Sequence, residues 1–489
     1  MHPVFLLISI LLPLAGGFLI LPLKFTQDRR RNIYCEIIAC LTTVLVWMMI
    51  LAGSRDPFTI YSFTDGFSIT FRLDGMAMLF AGMVSVMWPL VLLYAFSYME
   101  HASRKNPFFA FYVMTYGIAL GIAFSADMIT MYVFFEMLTL VTIPLVSHYG
   151  DHESLYAGRL YAAYTIGGAS LAFFAVILTT IYGNAGTFIY GGSLTGGYDF
   201  RMLEIAFIFG FFGFGTKAAV FPLFRWLPTA SAAPTPVTAL LHAVAVVNAG
   251  VFAVMRMVYY VYGAEILKGT YVQTFCLVTA AFSLLFGAVM AVKERHFKRR
   301  LAYSTMSNLS YMLFGIMLMT PAGFAAGMAH MLFHGIIKIT LFMCAGAFMH
   351  KTGNSYIFEI NGVGRKMPVT FTCYTLGALS LTGIPLFCGF ISKWQLLMAG
   401  AQEGSKAAII GVVSLIVSAF LCAIYTLSVS IRAFFPISGK DRYLENKENL
   451  EADRLMLIPI AVFSIANIYF GVQTEAVLSF LNKIAAGLL

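Results

Sequence analysis

Residues 330–342 read HMLFHGIIKITLF, and they lie inside an apolar stretch that runs from 324 to 349. His330, His334 and Lys338 recur there at intervals of four. Four residues of α-helix advance ~6 Å and turn ~400°, so the three side chains stack in one stripe about 12 Å long. Lys338 is 14 residues from one end of the stretch and 11 from the other, about 16 to 21 Å from either surface of a membrane at ~1.5 Å per residue. A lysine side chain does not reach that far, so the stripe reads as a ladder for transfer rather than as snorkelling groups.

The rest of the chain supplies a membrane for that ladder. Its 489 residues are 60% hydrophobic and 11% charged, with a mean hydropathy of +0.84, far outside the range of water-soluble globular proteins. Runs long enough to span predict an all-α polytopic protein of fourteen helices, at about 3–23, 34–53, 74–97, 108–125, 127–146, 159–182, 202–224, 237–262, 271–292, 301–320, 324–349, 370–399, 407–434 and 455–482. The first run, PVFLLISILLPLAGGFLILPL, lacks a basic leader and is long enough to cross, so it is expected to be a retained helix rather than a signal peptide. Between the second and third runs, TIYSFTDGFSITFR alternates around Asp65-Gly66 and predicts a small β-hairpin outside the membrane.

Several function classes are set aside by composition. The seven cysteines stand singly, with no CxxC pair, which argues against iron–sulfur, zinc or c-type haem in this chain. No glycine-rich phosphate loop follows a strand, so no nucleotide site is expected. The expectation is a chain without cofactor or metal.

Lysine and arginine counts set the expected orientation. With the N-terminus outside, inner loops hold 21 basic residues and the outer segments six (Arg55, Arg72, Arg201, Lys268, Lys406 and Lys483), which predicts both termini outside. The net charge of +9 is largely this asymmetry and calls for no nucleic-acid partner. The segment KDRYLENKENLEADR reads as a mixed-charge inner loop.

Four basic residues remain: Lys217, Arg256, Lys338 and Lys393. Arg256 falls near an outer helix end, where snorkelling is the expected reading. A charge at membrane depth costs ~2.5 to 3.5 kcal/mol even on the gentler insertion scale, so the others imply partners or water. Glu136, in MYVFFEMLTL, offers a carboxylate in the middle of the fifth run. By depth, Lys217 and His242 fall on the inner side, Lys338 with His330 and His334 in the middle, and Lys393 toward the outside. That order is a path for protons across the membrane. A static ion pair between Glu136 and Lys217, outward snorkelling of Lys393, and haem ligation by His330 and His334 are the competing readings; two histidines four apart on one helix do not bracket an iron.

Prolines and glycines break two of the predicted helices. FPLFRWLPTASAAPTPVTALLHA puts Pro222, Pro228, Pro234 and Pro236 around the end of the seventh, and LTGIPLFCGF puts Gly383, Pro385 and Gly389 inside the twelfth. Proline frees a carbonyl, which in a membrane is tolerated only where protein or water satisfies it. Paired interrupted helices in two halves of a chain mark an ion site.

At these residues the chain resembles the antiporter-like subunits of respiratory complex I (NADH dehydrogenase), membrane-bound hydrogenases and Mrp-type cation/proton antiporters. The resemblance covers about residues 70 to 400 and rests on FFEMLTL, KAAVFPLFRWLPTASAAPTPVTALLHA, FKRRLAYSTMSNLSYM, HMLFHGIIKITLFMCAGAFMH and LTGIPLFCGFISK together. It implies two five-helix repeats, the second inverted because five is odd: 1–107 for helices 1–3 with the hairpin, 108–262 and 271–434 for the repeats, and 455–489 for the last helix. It places the coupling pair on Glu136 and Lys217, the relay on His242, the central lysine on Lys338 and the terminal one on Lys393.

Two positions depart from the family pattern. Where many members carry a lysine eight residues before the arginine of the eighth helix, this chain has Asn248, so His242, or water held by Asn248, must bridge to Lys338. The acidic residue many members show before the K-x-x-LAYS motif is His296 here. The resemblance implies a non-catalytic, proton-translocating subunit, with Na⁺ linkage open, in a respiratory-chain complex of the cytoplasmic membrane of a bacterium or archaeon. Its partners would be other membrane subunits and, through them, iron–sulfur subunits. The alternatives are a component of an Mrp-type Na⁺/H⁺ antiporter without redox chemistry, an independent solute transporter, and a scaffold with relic lysines.

Overall fold

A computed structural model describes residues 4–53, 56–64, 67–184, 186–195, 199–436, 443 and 450–489. The chain opens with α1 (Val4–Leu23) and α2 (Asp28–Ala52), then a hairpin of β1 (Phe58–Thr64) and β2 (Phe67–Phe71). Next come α3 (Gly75–Tyr98), α4 (Lys105–Phe124), α5 (Met128–Val146), α6 (His152–Gly183), α7 (Phe200–Gly215), α8 (Thr235–Ala243) and α9 (Val246–Arg256). The second half holds α10 (Tyr271–Lys293), α11 (Phe297–Met317), α12 (Pro321–Thr352), α13 (Pro368–Thr382), α14 (Cys388–Glu403), α15 (Lys406–Phe434), α16 (Arg454–Val472) and α17 (Glu475–Ala485). The expected hairpin forms, with Phe58 facing Phe71 and Ser62 facing Ser68, its register shifted between Thr59 and Tyr61 and again between Ser62 and Thr64. The expected turn at Asp65-Gly66 and most of the 440–454 loop lie outside the described residues.

Short polar residues start the helices. Asp74, Asp127 and Asp151 accept hydrogen bonds from the backbone N–H groups of Ala77, Thr130 and Ser154 at 2.9, 2.7 and 2.7 Å, filling donors that the first helical turn leaves unpaired. The Ser154 N–H also holds the Asp151 carboxyl below the usual carboxylate range.

Among the described residues, eleven of the fourteen expected spans are long and apolar enough to cross a membrane, and the chain is an integral membrane protein. The other three are the two interrupted helices and α11, whose STMSNLS stretch is too polar to stand out by hydropathy. Burial explains that polarity. In the most apolar window, Thr235–Tyr262 is 100% buried and Pro321–Thr352 94%, against 39% for Val4–Leu23 and 33% for Arg454–Val472. α12 is therefore the axis of the bundle, packed by α3, α8, α11, α13, α14, α16 and α17. α1, α2, α6, α15 and α16 form the rim, and their exposed Leu, Ile and Phe side chains suit lipid.

The interruptions are real, and there are two more than proline and glycine announce: the eighth helix is divided, and the fourteenth, expected as one helix over 455–482, splits at Gln473–Thr474 into α16 and α17. The seventh helix stops at Gly215, and residues 216–225 turn, with Ala219 at φ 54°, before a single turn at Trp226–Thr229. The twelfth divides into α13 and α14 across Gly383 (φ 94°) and Leu386 (φ 79°). The eighth divides at Val244–Ala245, where neither proline nor glycine stands. Past Arg256 it continues as a π-helix, Met257–Tyr262.

Arg256 corrects an expectation. It does not snorkel: it is fully buried, and Asp74 takes both arms of its guanidinium at 2.6 and 2.7 Å. A carboxylate at the N-terminus of α3 supplies what bulk water would have supplied at the surface.

Candidate proton path

The stripe on α12 is built as the four-residue spacing requires. His330, His334 and Lys338 are each at most 1% exposed, and the two imidazoles lie with ring centres 5.9 Å apart. His330 is held at both nitrogens, by the Ser392 hydroxyl at 2.9 Å and the Asn308 side-chain oxygen at 3.2 Å. His334 has no hydrogen-bond partner at either nitrogen among the described residues. Lys338 donates to the Leu301 carbonyl at 3.0 Å and to the Ser304 hydroxyl at 2.7 Å. Both acceptors are neutral oxygens, and Lys338 has no ion pair within 4.0 Å among the described residues.

The other two lysines are likewise bonded to neutral oxygens. The Lys393 ammonium reaches the Leu381 and Thr382 carbonyls, at 2.5 and 3.3 Å, which the break between α13 and α14 has freed. Lys217, in the break that follows α7, donates to the Phe135 carbonyl and sits 3.6 Å above that residue's ring. Neither forms an ion pair within 4.0 Å among the described residues. Glu136, half-buried, interacts electrostatically with Lys217 without touching it.

His242 and Asn248 flank the break in the eighth helix. The His242 ring packs on Phe342 with centres 4.9 Å apart, and both of its nitrogens are buried without a hydrogen-bond partner among the described residues. Asn248 donates to the Ala243 carbonyl at 2.7 Å, so its amide takes a carbonyl that the break releases, while its own oxygen has no partner among the described residues. Gly335, beside His334, brings α12 against that same carbonyl: a Cβ there would lie 3.1 Å from it. His334 stacks beside His330 and is in electrostatic reach of Lys338, His242 and Lys393. Lys217 is not among them. Its backbone packs on Gly250 of α9, two residues past Asn248. Buried polar atoms without a protein partner are sites for water or for a moving proton.

Several members of the site escape sequence reasoning. Ser304, Asn308 and Ser392 are spaced only as helix residues are, and nothing marks them in advance as partners of lysine or histidine. Lys298, counted with the loop cations, is 4% exposed and donates to the Ala233 carbonyl at 2.8 Å, on the side away from the hairpin. Next to it His296 caps α11, accepting from the Arg299 N–H at 3.4 Å. Burial, together with the Lys298 and Arg299 charges, pushes its pKa down to about 4.

Residues 125–421 match the family described as NADH:quinone oxidoreductase/Mrp antiporter, TM, and residues 62–109 match the complex I chain 5 N-terminus. The chain is 30% identical over 406 residues to a probable K⁺/H⁺ antiporter subunit of Rhizobium meliloti, covering 81% of this chain but 40% of that one. It is 29% identical over 402 residues to NADH-quinone oxidoreductase subunit N of Desulforudis audaxviator, covering 79% of each. Among solved structures, a chain of the membrane-bound sulfane sulfur reductase, an archaeal respiratory membrane complex, superposes with a TM-score of 0.85. That alignment covers 99% of this chain and 97% of that one at 23% identity, a likeness of fold.

Proposed function

The chain belongs to the NADH:quinone oxidoreductase/Mrp antiporter family, and from that premise we propose that it translocates protons as one subunit of a multisubunit membrane complex of the complex I or membrane-bound hydrogenase kind. The observation that carries this reading is the set of three buried lysines, Lys217, Lys338 and Lys393, each bonded to neutral oxygens, with free imidazoles between. When a neighbouring subunit draws the Glu136 carboxylate toward Lys217, the ammonium is stabilised and a proton is loaded. When the carboxylate withdraws, the proton moves past Asn248 and His242 to the His334–Lys338 cluster, and through His330 to Lys393. The two breaks, after α7 at Lys217 and between α13 and α14 where Lys393 of α14 bonds the last carbonyls of α13, support reading residues 108–262 and 271–434 as two repeats. The basic-residue bias supports placing both termini outside the cytoplasm, and the hairpin end with them.

Lys217→Ala tests the role of the pair: transport in the assembled complex is expected to fall to ~10% or less, a barrier raised by about 1.4 kcal/mol. Transport at the wild-type rate would sink it. A second reading, a component of an antiporter that exchanges protons for Na⁺ or K⁺ without redox chemistry, is favoured by the likeness to the K⁺/H⁺ antiporter protein. The iron content of the complex that co-purifies in mild detergent separates the two. Many irons per copy mean cluster-bearing partners and redox drive; an intact complex without iron means ion exchange.

A further inference from the structure

The path leaves one buried charge cluster unused. At the hairpin end of α9, Arg256 is fully buried among the rings of Phe188, Phe252 and Tyr260, with its guanidinium carbon 5.0, 5.1 and 4.6 Å from their centres. Asp74 binds it with both oxygens and is also approached by Arg72 at 3.3 Å. Arg72 in turn donates to the Phe188 carbonyl. Two arginines therefore share one carboxylate, and the cluster carries a net positive charge among the described residues.

Adhesion does not account for this arrangement. A buried ion pair adds little stability over apolar side chains of similar volume, and a third, like charge makes it worse. Position does account for it. Asn248, Phe252 and Arg256 follow one another at four-residue spacing, on one face of α9 that rises about 12 Å from the break toward the hairpin end. Phe252 stacks on Phe80 of α3, ring centres 4.9 Å apart, and makes a dry step between the polar Asn248 and the guanidinium. A fixed arginine beyond a dry constriction repels protons and cations from a pore.

We propose that Arg256, clamped by Asp74 and doubled by Arg72, is a positively charged plug that closes the hairpin end of the first half of the chain to protons, so that protons reaching Asn248 pass sideways to Lys338. The inference rests on the proton path proposed above. It makes Arg256 a positioning residue for the field rather than a carrier.

The test is passive proton entry into liposomes holding the intact complex, under a potassium diffusion potential and with no driving substrate. Arg256→Gln removes the buried charge and leaves Asp74 paired with Arg72 alone, so the cluster becomes neutral and the leak is expected to rise ~10-fold or more. Asp74→Asn breaks the same pair but makes the cluster more positive, and it is expected to stay as tight as wild type. Equal leaks in both variants would mean a packing defect and overturn the plug; so would tightness in both. If Arg256→Gln fails to assemble, Arg256→His replaces it, surrounded by Asp74, Arg72 and Tyr260. It is expected to be tight in acid, with the imidazole charged, and leaky in alkali; a leak independent of pH rejects the proposal. Driven proton transport by the wild type is measured alongside. If that is absent, the proposed path fails; if it is present and the variants behave alike, only the plug fails.

Discussion

Lys217 gives its hydrogen bond to the carbonyl of Phe135, while Glu136, the next residue, lies within electrostatic reach but not within ion-pair distance. A closed salt bridge would hold its proton at a fixed affinity. An open one lets a small movement of α5 change the field at the amine. Glu136→Gln keeps the shape of the side chain and removes that lever. Driven transport is expected to fall ~10-fold with assembly unchanged; full transport in the variant would reject the lever.

Lys338 owes its place to Ser304 as much as to its own helix. The hydroxyl that accepts its proton at 2.7 Å also lies 2.9 Å from the Tyr425 hydroxyl. Ser304→Ala takes away one of the two acceptors and breaks the link to α15. The expected loss is about 1 kcal/mol of stability together with slower transport, read from thermal unfolding and proton uptake on one preparation. Slower unfolding with faster transport would contradict this role.

The ladder, the hairpin and the two proline- and glycine-marked breaks were legible because period, turn residues and missing donors act locally. Depth was legible for Lys338 because an apolar run on both sides measures it. Arg256 was not, since distance from a helix end says nothing about whether α3 brings an aspartate to meet it. The split at Val244–Ala245 was also hidden. LLHAVAVVNAG has helix-compatible residues throughout, and the side chain of Asn248, by taking the Ala243 carbonyl, supplies what the broken backbone lacks. Lys298 looked like a surface charge because its burial comes from the Ala233 loop.

That reading of Asn248 makes a prediction of its own. Asn248→Leu leaves the Ala243 carbonyl buried without its partner, a cost of about 1–3 kcal/mol. The helix break is expected to loosen beside His242, with a lower unfolding temperature and impaired transport. An unchanged unfolding temperature would show that the carbonyl is satisfied in some other way.

His296 gives the fold a pH dependence. Its pKa of about 4 in the folded chain lies below the ~6.5 of a free histidine. Between those values the unfolded chain binds more protons, so the contribution is fully present above pH ~6.5 and is lost as pH falls toward 4. Protonation also turns Nδ1 from the acceptor of the Arg299 N–H into a donor. Asn caps helices without titrating, so His296→Asn is expected to flatten the acid side of the unfolding profile. Parallel profiles for variant and wild type from pH 7 to 4.5 would remove His296 from the account.

The break in the twelfth helix depends on a missing methyl group. A Cβ on Gly389 would lie 1.9 Å from the Ser380 carbonyl oxygen and 3.2 Å from Ile337 on α12, so α14 returns onto the last turn of α13 only because residue 389 is glycine. The next carbonyls along, of Leu381 and Thr382, are the ones that hold Lys393. Gly389→Ala must push the two halves apart, because the obstacle is backbone. It is expected to cost about 3 kcal/mol or more and to take the acceptors away from Lys393, so transport fails even where the complex survives. Gly82→Ala is the matched control: its nearest neighbour would be the Ile50 side chain at 3.7 Å, an ordinary contact. There alanine is expected to be neutral or to stabilise α3 by up to about 1 kcal/mol. If the two variants unfold at the same temperature and transport alike, the close approach of α14 to α13 does not hold Lys393 in place.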